Sequence, residues 1–342
     1  MSVYLSVYLS LYLSLYLSVC IYLSISLPTG DSVLGLLPFY HIYGLSAIVF
    51  SFPLRRNRVV TLPAFEPVSF LSAIQKHKMT MLHLVPPLVI FLAKHPVVDQ
   101  FDISSVKAIL SAAAPLSKDT EAAFSARTGV VDIRQAYGLS ETSPMISMSP
   151  KGGAEVVRPG SAGIFPANTQ LKVVDLDSGQ ELGEEAVGEI CCRGPQIMKG
   201  YLNNEKATSQ CLDPVDGWFQ TGDIGYISSD GYLYITDRLK ELIKYKGHQV
   251  APAQLEALLL AHDAVADVAV IGVAASEDVG ELPKAFVVLK PGVQGVAEAD
   301  LQLFVDNQVS PHSKLRGGVE FIDAIPKSAA GKILRRILRD GN

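Results

Sequence analysis

Apolar and polar residues alternate without interruption from Val3 to Leu27. Every odd position is aliphatic, and the even positions are Tyr, Ser and a single Cys. A period of two is the signature of a strand. The unit Val/Leu-Tyr-Leu-Ser repeats through this tract, and no charge precedes Asp31. Its length and lack of charge fit a membrane span, while its period and aromatic content fit an aggregation-prone strand. Its repetitiveness fits translated low-complexity sequence with no part in the fold. A signal peptide fits poorly, because no basic residue leads the apolar run and no small-residue cleavage site follows it. These readings stay open, and none of them guides the functional reading.

From Asp31 the pattern changes to alternating short apolar runs and amphipathic segments. SVLGLLPFYHIYGL predicts a strand ending at Pro38, then an aromatic–His–aromatic cluster leading into an apolar helix. RVVTLPAF predicts a strand, and VSFLSAIQKHKMTMLHLVPPLVIFLAKHP a helix, a strand and a helix opened by Pro86 and Pro87. VKAILSAAAPLS is a strand with a small-residue turn, KDTEAAFSART a helix, and VVDIRQAYGLSETSP a strand entering a glycine turn. Strands alternating with helices predict a parallel sheet, with ligands gathered at its carboxyl ends. After Pro150 short strands separated by Gly, Asp and Asn predict a β-rich, barrel-like part. Beyond Pro252 come the helix APAQLEALLLAH, strands VADVAVIGV and KAFVVLK, helix ADLQLFVDNQV, strand GGVEFID and a basic tail helix. The expected fold class is therefore α/β: a partial large N-terminal domain and a small C-terminal α+β domain joined by a hinge. The boundaries expected are 1–29 for the repeat, 30–239 for the large domain (α/β to 150, β-rich from 151) and 240–342 for the small one.

Composition narrows the picture. With 49% hydrophobic and 18% charged residues over 342 positions, the chain can bury a sizeable core. A net charge of -5 argues against nucleic acid as a partner. The four cysteines, Cys20, Cys191, Cys192 and Cys211, form no CxxC pair, and no His cluster has metal spacing. That argues against a disulfide framework or structural zinc and favours a reducing compartment.

Against this acidic background, TDRLKELIKYKGHQVAP places Arg238, Lys240, Lys244 and Lys246 within nine residues. We read it as a pivot between two domains, although a basic turn between a strand and a helix would look similar. Three polar turns accompany it. In QAYGLSETSP, Gly138 permits close backbone approach to a ligand, Tyr137 offers a stacking ring, Ser140 a hydroxyl, and Glu141 a carboxylate for a hard cation, although taken alone the stretch reads more readily as a surface turn. In WFQTGDIGY, Asp223 could accept hydrogen bonds from a sugar diol, or simply close a β-turn. In PKSAAGKILRR, Lys332 suits charge stabilisation on a phosphate or carboxylate in transit, or is simply a tail lysine in a basic helix. The Gly-Lys pair is not a P-loop, which needs an upstream glycine and a following Ser/Thr.

LPFYHIYGL, SAAAPL, QAYGLSETSP, QTGDIGY, DRLKELIKYKG and PKSAAGKILRR, in this order, resemble the adenylate-forming superfamily, above all 4-coumarate–CoA ligase and related acyl-CoA synthetases. The resemblance runs from about Gly30 to the C-terminus. It implies ATP, Mg2+ and CoA, with a small-molecule carboxylic acid as partner. Residue by residue, it implies that His41 stands beside the acyl carboxylate and gates the CoA tunnel. Tyr40, Ala112, Ala113 and Ala136 would line the acyl pocket. Tyr137, Gly138, Ser140, Asp223 and Arg238 would bind the nucleotide, and Glu141 the metal. Lys332 would serve adenylation, Lys240 the hinge, and Lys244, Gln249 and Gly247 the thioester step and the CoA tunnel.

The chain also departs from the pattern. The family's Ser/Thr/Gly-rich phosphate loop should precede LPFYHIYGL, where the repeat stands instead. A glycine-rich nest of N–H groups is what cradles phosphates, so poor or absent adenylation is expected. Apolar faces around Val33 to Val131 are expected to lie uncovered. Ala112 and Ala136 replace glycines and would narrow the acyl pocket, and Ser140 replaces threonine. The alternatives are a carrier-loading adenylation domain, disfavoured by the short tail after Lys332; a luciferase-like oxidase, with the same motifs; and a non-catalytic module anchored through residues 2–27. The C-terminal Asp-Gly-Asn is not a peroxisomal signal. A cytoplasmic location and a monomer or homodimer are expected, with membrane contact only through residues 2–27.

Overall fold

The computed structural model describes residues 32–54, 56–152, 156–276, 278–328 and 331–340. The Tyr-Leu-Ser repeat, and with it the readings as membrane span, strand or low-complexity sequence, lies outside these residues. Among the described residues no helix is long and apolar enough to cross a membrane. The described chain divides into two compact units. One runs through Thr221 and includes Gly225–Ile235; the other comprises Gly222–Ile224 and everything from Thr236.

The first unit is built on a six-stranded sheet of β1 (Ser32–Gly35), β2 (Arg58–Thr61), β3 (Met81–Leu84), β4 (Ala108–Ser111), β5 (Asp132–Tyr137) and β6 (Ser147–Met148). Its order is β2-β1-β3-β4-β5-β6, parallel except for the last pair. β1, β3 and β4 are buried at every position, as apolar runs in a parallel sheet must be, whereas the edge strand β2 exposes Arg58 and Thr61. The crossovers are α1 (Pro67–His77), α2 (Pro86–Lys94) and α3 (Lys118–Thr128). Local chemistry sets their ends. Glu66 accepts from Val68 and Ser69 N–H groups at the start of α1. Ser117 caps α3, which stops at Gly129 with φ 73°.

Two expectations need correction. β1 ends at Gly35 rather than Pro38, because its ladder with β2 closes at Leu62 N–H to Gly35 C=O and Pro63 follows. Among the described residues the uncovered apolar faces are largely absent: Val33, Leu34, Leu82, Ile109 and Ile133 are buried in one core with side chains of the crossover helices. Exposed apolar side chains include Phe39, Tyr40, Phe50, Leu54 and Val131.

The β-rich part forms a five-stranded sheet of β7 (Gln170–Val174), β8 (Glu181–Leu182), β9 (Gly188–Arg193), β10 (Phe219–Ile227) and β11 (Leu233–Arg238), ordered β11-β10-β9-β7-β8. A short helix α4 (Glu205–Ser209) precedes β10.

In the second unit, the basic stretch after Arg238 is a turn followed by a hairpin, β12 (Ile243–Tyr245) and β13 (His248–Val250). Lys246 and Gly247, both at positive φ, make the two-residue loop. Helix α5 (Pro252–Ala261), strands β14 (Val265–Ala274) and β15 (Glu281–Leu289), helix α6 (Glu298–Asp306), strand β16 (Val319–Phe321) and helix α7 (Arg335–Asp340) complete it. Alternate residues of β14 serve different cores. Val268 and Val270 pack with Leu255, Leu259 and Leu301, while Ala269 and Ile271 pack with Ile325 and Leu338. This two-faced burial explains the continuous apolar run of β14.

Candidate active site

In the first unit, the carboxyl ends of parallel strands bring three predicted segments to one edge of the sheet. β4 and β5 run in register, Ser111 beside Gln135. The turns bearing Ala112–Ala113 and Ala136–Glu141 therefore leave side by side. Ala112 is buried and its N–H donates to Leu84 C=O, while Ala113 adopts φ 75° and is exposed. The turn is pinned by a residue outside the predicted set. The Gln135 side chain accepts from Leu116 N–H and donates to Leu116 C=O, both at 2.9 Å, and donates to Glu121 at 2.7 Å. Gln135 shares its strand with Asp132 and Arg134, so no break in an apolar pattern singled it out in the sequence.

Beyond β5, Gly138 has no room for a side chain: a Cβ there would stand 1.8 Å from Pro144 C=O. The buried Thr142 hydroxyl accepts from Leu139 N–H and closes the turn. Ser140 is left exposed. The Glu141 carboxylate accepts from Tyr201 Oη at 2.8 Å, and Glu141 C=O accepts from Met198 N–H. Burial, followed by the bond to Glu141, pushes the Tyr201 phenol up to about 12. Tyr137 is half-buried, its C=O accepting from Ile146 N–H.

His41 follows β1. Its Nδ1 accepts from Tyr43 N–H at 3.2 Å, and burial holds the imidazole below its ordinary pKa. Tyr43 fixes this loop from below, its hydroxyl lying 3.2 Å from His83 Nδ1 and 3.3 Å from Leu110 C=O. Tyr40, expected in a pocket wall, is 82% exposed.

The second unit gathers another group. Asp223 is buried and pairs with Arg238 at 3.2 Å. Partial burial and then the Arg238 charge lower the Lys332 pKa, with Glu241 and Asp223 acting in the opposite sense. Asp223, Arg238, Glu241 and Lys332 thus share one electrostatic neighbourhood. Lys240 is exposed in the turn Leu239–Glu241. Lys244 and Gln249 face each other on the β12–β13 hairpin, with Gly247 at its tip, all three exposed. Lys244 N–H donates to Glu281.

Residues 7–202 match the family model described as AMP-binding enzyme, and residues 254–332 match the AMP-binding enzyme C-terminal domain. The chain belongs to the AMP-binding enzyme family. It is 48% identical over 313 residues to "Probable 4-coumarate–CoA ligase 1" of Dictyostelium discoideum, covering 91% of this chain and 56% of that protein. It is 46% identical over 319 residues to "4-coumarate–CoA ligase 2" of Oryza sativa subsp. japonica, covering 92% and 55%. The chain therefore spans just over half the length of these curated relatives. ATP-bound MatB from Rhodopseudomonas palustris superposes with a TM-score of 0.83 at 30% identity, covering 95% of this chain and 62% of that one. The α/β class expected from the sequence is thus that of AMP-binding enzymes.

Proposed function

We propose that this AMP-binding chain carries the chemistry of an AMP-forming acid–CoA ligase. The carboxylate oxygen of the acid attacks the α-phosphorus of ATP, the bond to the bridging oxygen breaks, and pyrophosphate leaves with the electron pair. The sulfur of CoA then attacks the acyl carbon, and AMP departs as the acyl C–O bond breaks. The observation that carries this reading is the grouping of Lys332 with Asp223 and Arg238 in one unit. A carboxylate paired with a guanidinium suits ribose hydroxyls, and an adjacent lysine suits the negative charge gathering at phosphorus.

In the first unit, Tyr137 would stack on adenine, Ser140 would donate to the α-phosphate, and His41 would stand by the acyl carboxylate. Ala112, Ala113 and Ala136 would form a pocket of modest size, with Tyr40 at its margin. The names of the relatives favour a phenylpropanoid such as 4-coumarate. Among the described residues no cluster of three or more acidic, His or Cys side chains could hold a metal alone. A single oriented carboxylate, Glu141 steadied by Tyr201, fits Mg2+ shared with nucleotide phosphates. When bound, the metal offsets the repulsion between two anions. Lys244, Gln249 and Gly247 would serve the thioester step, with Lys240 as the hinge between the two half-reactions.

Lys332→Ala should abolish isotope exchange between pyrophosphate and ATP. It should leave thioester formation from supplied acyl-adenylate and CoA largely intact. Exchange persisting in that variant would overturn the Lys332 assignment.

A further inference from the structure

The segment presenting Lys332 is held at both shoulders by ion pairs. On one side Lys327 reaches Asp267 of β14 at 2.6 Å. The backbone then folds back on itself: Ser328 N–H donates to Lys332 C=O and Leu334 N–H to Pro326 C=O, each at 2.8 Å. On the other side Arg335, three residues beyond Lys332, donates from Nε to Val270 C=O at 3.1 Å. Its two terminal nitrogens go to different carboxylates, Glu256 at 2.6 Å and Glu241. These three side chains are between 11% and 18% exposed. Glu256 also accepts from Val270 N–H. The guanidinium therefore joins four places in the fold: the Lys332 segment, β14, α5 and the turn Leu239–Glu241.

Glu241 lies three residues after Arg238 and one after Lys240. One fork thus ties the ribose-side arginine's own turn to the segment that carries Lys332. Replacing a buried ion triad by apolar residues is often neutral or stabilising, so stability alone is a weak reason for such a cluster. Its planar fork, which only arginine supplies, is a reason of geometry.

We propose that Arg335 is a positioning residue: by bridging Glu241 and Glu256 it holds Lys332 at a fixed station beside Asp223 and Arg238. The proposal rests on the adenylation role given to Lys332. The test uses Arg335→Lys, which keeps the charge but cannot span both carboxylates. Hydrogen–deuterium exchange at the amides of Lys332, Ile333 and Leu334 should quicken by about tenfold or more while the β14 amides keep their rates. Pyrophosphate–ATP exchange should fall by roughly 10- to 100-fold, as expected for a misplaced charged group. Thioester formation from supplied acyl-adenylate should stay within about twofold. Unchanged amide exchange around Lys332, or a parallel fall in both half-reactions, overturns the proposal. A parent chain with neither pyrophosphate exchange nor thioester formation from supplied acyl-adenylate sinks the ligase reading alone, and the amide rates then decide whether Arg335 positions the segment.

Discussion

Glu121→Gln should change how stability depends on pH, and two buried groups in the first unit set the size of the effect. The Glu121 carboxyl, on α3, accepts from Gln135 at 2.7 Å and from Gly160 N–H at 3.3 Å. Burial outweighs both bonds and raises its pKa from 4.5 to about 7. In the fold it is held protonated at pH values where the unfolded chain has released the proton. Its contribution to stability is therefore complete below 4.5 and lost as the pH climbs toward 7. His83 acts in the opposite direction. Burial, and then the charge of Arg134, lower its pKa from 6.5 to about 3. The fold keeps it neutral while the unfolded chain binds a proton, so this group adds stability as pH rises from 3 toward 6.5. Between about pH 5 and 6 each group differs by roughly nine-tenths of a proton between the two states, equivalent to about 1.2 kcal/mol per pH unit. In the parent chain the two slopes nearly cancel. Glu121→Gln removes one and retains the acceptor oxygen, so its unfolding free energy relative to the parent should rise by about 1.2 kcal/mol per pH unit across that interval. Urea unfolding followed by fluorescence of Trp218, the single tryptophan and a member of the same unit, measures it. A difference between variant and parent that stays constant from pH 5 to 6 would refute the claim that the fold holds Glu121 protonated.

Two further outcomes follow from the turns at the sheet edge. Gln135→Leu keeps the volume but strips Leu116 N–H and C=O of their partner, so unfolding free energy should drop by about 2–5 kcal/mol. A drop below about 1 kcal/mol in the same urea experiment would show that the SAAAPL turn does not depend on this side chain. Gly138→Ala forces a Cβ to within 1.8 Å of Pro144 C=O. Backbone must move, so a loss of about 3 kcal/mol or more is expected from thermal unfolding, and a variant as stable as the parent would mean the turn is looser than described.

Much of this chain was legible before any coordinates, for identifiable reasons. Helix α3 was predicted with its observed ends, Lys118 and Thr128, because Ser117 caps its start and Gly129 stops it, chemistry local to a few residues. The apolar-rich runs of β1, β3 and β4 predicted a parallel sheet, but its covered faces were not foreseen, because the helices that cover them pack from distant parts of the chain. Gly138 was readable as a backbone device, and the structure adds a reason, a carbonyl with no room beside it; the hairpin loop at positive φ that uses Gly247 emerged only from the fold. The end of β1 was misplaced because the ladder stops where its partner strand meets Pro63, a fact about a strand more than twenty residues away.

The sequence alone determined the order of the elements, the family-like motifs and the residue types available for chemistry, because periodicity, caps and turns are encoded over short spans. The tertiary structure alone decided which of these residues share a neighbourhood. Asp223, Arg238 and Lys332 come together across more than a hundred positions, and Arg335 reaches Glu241 and Glu256 only because α7 packs against β14. Gln135 became the hub of the turn after β4 only when β4 and β5 aligned in parallel. Charges, hydrogen bonds and burial act over a few ångströms of space, and separation along the chain carries almost no information about that distance.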